Sequence, residues 1–540
     1  MIKKKTSYQN NSYIVLFFVL FGLIFARYCY YGFEYYYQLD DYIQYHNFTA
    51  YSDDLWKIIK SLGLLSARPL AGLFDLFIWS RFYSFMIIAV GIISALYAFS
   101  AVFFHKVFSK MFGTGYMFFL IYALLPLGFE GTYWISASSR IVVGIFFASV
   151  SLLFFDKWCE EGNKKSLILF SVFQFVSFCF YEQIVLLSGA LTFILMLYYA
   201  KSYDKKRALW GFIMFLNAAL YFVITHLFPS GINGDRSVLF LPWQDNYKVE
   251  VFDPLLTQLR DVFLAGNTAT LGKGLIRGLE LFIAEPNFLY VLIILFLCAG
   301  FFVISKQASR DRIRFFAEMF SGIFLALVPL LLFFVLKNPW FSARNAVTSF
   351  CGMALIVDAL FDLILGRTKR GSLIQGVLLF AIAMLLCTAS ISELHDYREE
   401  TVADAKIASA TAEAFQGLSF SSKDYIWLLN VDASYVSDGN FYYHDHVYGV
   451  ASSGWALTGA VSAFYGRGNL PEITPVSVYR HFPVEGDKID KVNAFFYTGE
   501  HVVPVRFKKS ADAQWEVRDI EGKLLGTLTY KDEGLLLKVQ

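Results

Sequence analysis

The sequence predicts an α-helical polytopic membrane protein, with about 11 transmembrane helices and a C-terminal extracytoplasmic domain of α/β or α+β type. Three observations predict it. The chain is 57% hydrophobic and 17% charged, whereas a soluble domain sits nearer a quarter charged. The apolar residues gather in runs of roughly 15–25, the length a helix needs to cross the hydrocarbon core. After Glu393 the character changes to an Ala-rich charged stretch, followed by short β-like runs separated by turn residues.

The first apolar run, Tyr13–Phe25, follows Lys3, Lys4 and Lys5 and leads into Arg27 and a Tyr-rich patch. No small-residue cleavage site follows it, so it reads as an uncleaved span. The spans fall at 13–32, 82–104, 113–129, 140–156, 166–180, 183–200, 208–228, 286–304, 315–336, 345–365 and 373–392. Residues 166–200 are too long for one helix, and Tyr181-Glu182-Gln183 interrupts them, so a tight hairpin is expected there.

With the N-terminus in the cytoplasm, the inner loops collect Lys3/Lys4/Lys5, Lys106/Lys110, Lys157/Lys164/Lys165, Lys201/Lys205/Lys206/Arg207, Lys306/Arg310/Arg312/Arg314 and Arg367/Lys369/Arg370. This is a consistent positive-inside pattern. It puts 33–81, 130–139, 229–285 and 337–344 outside, and an odd number of spans puts the C-terminal domain outside too. Two domains result: residues 1–392 in the membrane, with long outer loops 33–81 and 229–285, and residues 393–540 as a soluble domain. In the soluble domain His395–Phe415 reads as a helix. Val447–Tyr465 reads as a packed soluble helix, its many Gly, Ser and Thr arguing against a span. Strands are expected at Tyr425–Val431, Asn493–Thr498, Val502–Phe507, Trp515–Ile520, Leu524–Tyr530 and Leu535–Val539.

Several function classes drop out. A net charge of +2 carries no message about nucleic acid. None of the six cysteines lies in the C-terminal domain, so disulfides do not staple it, and no CxxC or Cys/His zinc spacing occurs. His444-Asp445-His446 is a lone cluster without metal-site spacing. No G-x-x-x-x-G-K-[ST], G-x-S-x-G or H-E-x-x-H motif is present.

The polar residues of interest fall on the outer side. The first outer loop carries Asp40 and Asp41 just past the end of a span, where adjacent carboxylates are costly near lipid and suggest a water-filled site; a solvated turn or a helix N-cap is the plainer alternative. An amphipathic stretch, Asp53–Leu65, follows and is expected along the interface. Arg68 stands before Pro69, at an extended or turn position. Its planar fork suits a phosphate, the alternative being headgroup snorkelling. Arg140 closes the loop that begins at Trp134, and Arg344 closes the loop that begins at Lys337. Glu182, with Tyr181 and Gln183, interrupts an apolar hairpin; Arg140 or Arg344 is a candidate partner of its carboxylate, a purely structural ion pair being the plainer alternative. Trp134 and Trp340 fit an interfacial aromatic belt.

Leu39-Asp40-Asp41-Tyr42, Ala67-Arg68-Pro69-Leu70, Tyr181-Glu182-Gln183 and Ala343-Arg344, in this order and on one side, resemble the GT-C superfamily of polyprenyl-phosphate-dependent glycosyltransferases. Residues 1–392 look most like the bacterial Gtr-type enzymes that glucosylate O-antigens or other surface polymers. The resemblance implies a multi-pass enzyme of the bacterial cytoplasmic membrane, moving a hexose from a polyprenyl-phosphate donor to a surface glycan such as O-antigen or teichoic acid. It implies an acidic residue of the first outer loop, Asp40 or Asp41, as base on the acceptor hydroxyl. Arg68, Arg344 and Arg140 would hold the donor phosphate, with Glu182, Tyr181 and Gln183 in support. Many relatives carry Asp-Glu or an isolated Asp at this point. The Asp-Asp pair therefore leaves open which carboxylate is the base and whether a divalent cation, magnesium or manganese, sits between them. A transporter or flippase of lipid-linked sugars, or a polymerase using them, is the competing reading.

Overall fold

The computed structural model describes residues 2–47, 59, 68–202, 205–227, 238–304, 312–365, 371–421, 424–431, 447–466, 470–478, 481–482, 489, 491–531 and 534–540. Most of Asp53–Leu65, the His444-Asp445-His446 cluster and the basic residues Lys306, Arg310, Arg367, Lys369 and Arg370 lie outside this set.

The protein is mostly helical, 73%, with a β-rich C-terminal domain. Among the described residues, seven helical stretches are long and apolar enough to cross a membrane: Trp79–Met111, Ile135–Glu161, Glu182–Lys201, Lys205–Thr225, Arg312–Val335, Ala343–Leu365 and Leu373–Ala414. Two shorter apolar helices, Ser12–Ala26 and Phe288–Ile304, stand where spans are expected. The helices in the other two expected spans are also short. Within 113–129 the helix runs only from Met117 to Leu124 before Pro126 opens a 3₁₀ turn and a short helix, Phe129–Tyr133. Proline cannot donate the next ladder hydrogen bond, which accounts for the break. Within 166–180 the helix Lys164–Phe178 ends at Cys179, and Glu182 begins the next helix, so the expected hairpin is present.

The last span does not stop at 392. One helix runs from Gly371 to Ala414 and crosses the expected domain boundary unbroken. Its apolar first half lies in the bundle. Its second half buries Ile407, Ala408, Ala410 and Ala412 against the soluble domain.

Among the described residues, the C-terminal sheet has eight strands: β1 Tyr425–Leu429, β2 Ile473–Val476, β3 His481–Phe482, β4 Val492–Tyr497, β5 Val502–Ala511, β6 Gln514–Asp519, β7 Leu524–Lys531 and β8 Gly534–Val539. Their order is β2-β1-β4-β5-β6-β7-β8-β3. β1 pairs in parallel with β2 and β4, and the remaining pairs are antiparallel. Side chains alternate across a strand, and β1 shows it. Ile426 and Leu428 pack with the helix Gly454–Tyr465 and the end of the long helix, while Trp427 and Leu429 join a separate core on the other face. The helix expected within Val447–Tyr465 is therefore part of the soluble core. β2 and β3 were not foreseen. Each is short and at an edge, and Pro475 removes a donor from β2, which weakens the strand pattern.

Candidate functional site

The first apolar helix ends at Ala26, and the chain then runs through Tyr35, Tyr36 and Tyr37 into a tight turn. Leu39 adopts φ 32°, a left-handed conformation that costs energy for a branched side chain. The Asp41 amide closes the turn on the Gln38 carbonyl at 2.9 Å, and the Gln38 amide donates back to Asp41 Oδ2 at 2.9 Å. The long helix holds the turn from outside. Gln38 Nε2 donates to the Tyr397 carbonyl at 3.3 Å, and the Thr401 hydroxyl donates to the Tyr37 carbonyl at 3.0 Å.

The two carboxylates have different surroundings. Asp41 is fully buried. It accepts from the Tyr35 hydroxyl at 2.7 Å, the Gln38 amide at 2.9 Å and the Trp134 indole at 3.1 Å. Three donors thus hold both oxygens of the carboxylate in place. Burial nevertheless pushes its carboxyl up to about 7. Asp40 is partly exposed. Burial pushes its carboxyl above the ordinary 3.8, and Arg140, Arg344 and the Trp455 indole pull against that rise.

Each arginine has its own carboxylate. Arg68 donates through Nε to Glu182 at 2.9 and 3.1 Å and lies over the Tyr181 ring at 4.5 Å. The Leu70 amide donates to the Cys179 carbonyl at 3.1 Å, which ties the Arg68 segment to the hairpin tip. Arg140 donates to Asp75 at 2.9 Å and to Gln44 at 3.2 Å. Ser139 and Tyr45 add hydroxyl donors to Asp75 at 3.4 and 3.2 Å. Arg344 stands 3.5 Å from Glu130 and 5.2 Å from the Trp134 ring. Its turn is set by Asn345, whose Oδ1 accepts from the Ser342 amide at 2.8 Å. The Asn345 amide donates to the Tyr181 hydroxyl and, at 3.1 Å, to Gln183 Oε1. Gln183 in turn donates to the Pro329 carbonyl at 3.3 Å.

The structure thus gathers Asp40, Asp41, Arg140 and Arg344 around one turn, with Arg68, Tyr181, Glu182 and Gln183 joined to it through Asn345. It corrects the expected partner of Glu182, which is Arg68, because Asp75 and Glu130 occupy Arg140 and Arg344. Sequence reasoning singled out neither Asp75 nor Glu130. The signal for Asp75 was present, a lone carboxylate inside the apolar helix Pro69–Phe77. Trp455 had no such signal, since only the fold brings it to Asp40.

Among the described residues, no group of three or more His, Cys, Asp or Glu side chains could hold a metal ion. With Asp41 already accepting from three donors, the pair Asp40 and Asp41 is a poor ligand set for a cation. Arg140 and Arg344 supply positive charge there instead.

Helices of this length and apolarity, joined to a β-rich domain, suggest a membrane protein with a polar site at one end of its bundle. No family model matches the chain, and no curated protein matches it at a significant level. The function is therefore read from the residues.

Proposed function

We propose that the chain is a glycosyltransferase that moves a sugar, glucose or another hexose, from a polyprenyl-phosphate donor to a cell-surface polymer at the outer face of a bacterial cytoplasmic membrane. Adding the two shorter apolar helices and those at 117–124 and 164–178 to the seven long ones gives about 11 spans. The N-terminus is then inside and the C-terminal domain outside. The helix Ile135–Glu161 supports this sidedness, because Arg140 of the site stands near its start and Lys157 near its end, ~26 Å apart.

The observation that carries the reading is the division of labour between the two carboxylates. Asp41 is spent on hydrogen bonds, while Asp40 is partly exposed beside two guanidinium groups. Asp40 takes the proton of the acceptor hydroxyl as its oxygen bonds to the anomeric carbon. The bond from that carbon to the phosphate oxygen breaks, and the lipid phosphate leaves. A carboxyl raised above its ordinary range is a better base at neutral pH. Arg68 and Arg344 suit the leaving phosphate. Arg68 hydrogen-bonds Glu182 through Nε only, with a third of its side chain exposed. Arg344 is 3.5 Å from Glu130, longer than a good hydrogen bond. Arg140, more buried and tied to Asp75, is better suited to steering Asp40.

The test is sugar transfer from polyprenyl-phosphate hexose by purified Asp40→Asn, Asp41→Asn and the double variant. Asp40→Asn should lose turnover by about 10²–10⁴-fold and still bind donor. Near-normal transfer by the double variant would overturn the mechanism.

A further inference from the structure

The long outer loop expected at 229–285 carries helices whose exposed surfaces are divided by kind. In the helix Gly274–Ala284, Ile276, Leu279 and Ile283 each expose half or more of their surface. At the helical repeat they fall within ~60° of one another. Lys273 and Glu280 are exposed along one flank of that stripe. The remaining face is packed on the long helix. A Cβ on Gly278 would collide with the Thr388 carbonyl, and Arg277 donates to Asp396 at 2.6 Å. The helix Asp253–Arg260 and the residue before it, Phe252, repeat the division. Phe252 and Leu256, one turn apart, are exposed, with Asp253, Thr257 and Arg260 exposed beside them and Val251 and Leu255 buried. A surface helix in water needs one face for protein and one for solvent. Each of these has a third, apolar and uncovered.

We propose that these helices form a belt seated in the lipid leaflet on the side of the soluble domain, with their apolar stripes among the upper acyl chains. Two observations name lipid as the occupant. The stripe on Gly274–Ala284 continues, across Glu285-Pro286-Asn287, into the exposed Phe288, Leu289, Leu292 and Phe296 of the helix Phe288–Ile304. That helix stands where a span is expected, so its apolar surface faces acyl chains. The belt also meets the long helix at Thr388, Ala389 and Ser392, where the apolar half gives way to charged residues from Glu393 onward. This is the level at which a bilayer ends, and an interfacial helix sinks its apolar face there by ~5–10 Å. The belt reaches the site as well. Gln258 accepts from the Phe341 amide at 2.7 Å and donates to the Pro339 carbonyl at 2.9 Å, in the loop that ends at Arg344. The lipid surface thereby sets the depth of that loop. The seat requires a bundle that spans a membrane but no sugar transfer.

The experiment uses the full-length protein in lipid nanodiscs. Ile283→Trp and Leu256→Trp probe the stripes, and Lys273→Trp and Thr257→Trp probe the polar flanks. All four positions are exposed, so the fold tolerates the larger ring. The chain has ten tryptophans, so the added emission is read as variant minus wild type. One quencher is phosphatidylcholine carrying bromine near the carbonyl end of its acyl chains, and the other is aqueous iodide. The added emission of Ile283→Trp and Leu256→Trp should fall by about half or more in brominated lipid and change little with iodide. Lys273→Trp and Thr257→Trp should show the reverse. Iodide quenching of either stripe position puts it in water and overturns the proposal. A stripe position that neither quencher reaches is covered by protein, a second copy of the chain or another partner, and overturns it too. Equal lipid quenching at all four positions means a belt sunk wholly in acyl chains, with no water face, and also overturns it.

Discussion

Asp75→Asn separates the charge arrangement at Asp40 from its hydrogen bonds. Asp75 and Arg140 meet at 2.9 Å with side chains 6% and 18% exposed. Removing one partner of a buried pair typically costs ~3–5 kcal/mol, because the remaining charge is uncompensated. Arg140 keeps Gln44 at 3.2 Å and stays near Asp40, which acts as a second counter-ion. The expected loss is therefore smaller, ~2–3 kcal/mol. Asp40 should respond as well. Asp75 raises its carboxyl and Arg140 lowers it. Removing the Asp75 charge lets both changes act downward, so Asp40 becomes the weaker base. The acid limb of sugar transfer should move to lower pH, with a reduced plateau rate. Stability is read by equilibrium unfolding in mixed micelles for Asp75→Asn, Arg140→Gln and the double variant. The double variant should lose less than the sum of the singles by at least ~1 kcal/mol. Additive losses within ~0.5 kcal/mol, together with an unmoved acid limb, would refute the coupling.

Three further predictions follow from the same geometry. Arg68→Lys and Arg344→Lys keep the charge but lose the planar fork, so donor affinity should fall by roughly tenfold in each while the protein still inserts, as measured by binding of the lipid donor; unchanged affinity in both would leave them as interfacial anchors. The Asp41 carboxyl stands near 7 in the folded protein against 3.8 ordinarily. Its contribution is thus fully present below the ordinary value and is lost as pH rises through about 7, an effect of ~4 kcal/mol. Unfolding midpoints should fall over that window, and Asp41→Asn should flatten the fall. A reporter fused after Gln540 should be active outside the cytoplasm, and activity inside would mean an even number of spans.

Much of the bundle was legible because crossing lipid imposes a length and an apolarity that few other roles share. The short segment at 117–124 was harder. It is buried among other helices, so its apolar run was shaped by packing and not by the width of a bilayer. The boundary expected at 392 followed composition, but backbone hydrogen bonding continues through a change from apolar to charged residues. Hence Gly371–Ala414 is one helix. At the site, Asp40 and Asp41 stood out as neighbours near a membrane surface. Their different surroundings come from Tyr35, Trp134, Arg140, Arg344 and Trp455, residues scattered across the chain. Spacing along the sequence carries no record of such a gathering.

The helix Gly371–Ala414 spans 44 residues, or ~66 Å at the usual rise. Half of it is gripped by the bundle, and the other half is a mast bearing the sheet. Whatever rotates the gripped half rotates the mast with it. A lean of ~10°, within the range by which helices adjust to bilayer thickness, sweeps the free end through ~6 Å. The turn at Gln38 is lashed to this mast by Tyr397 and Thr401, near its middle, where the sweep is small. Val450 is fastened higher up, at Asp404, where the sweep is larger. On the proposed membrane orientation, a change of lipid thickness that tilts the gripped half is expected to move Val450 further than Gln38.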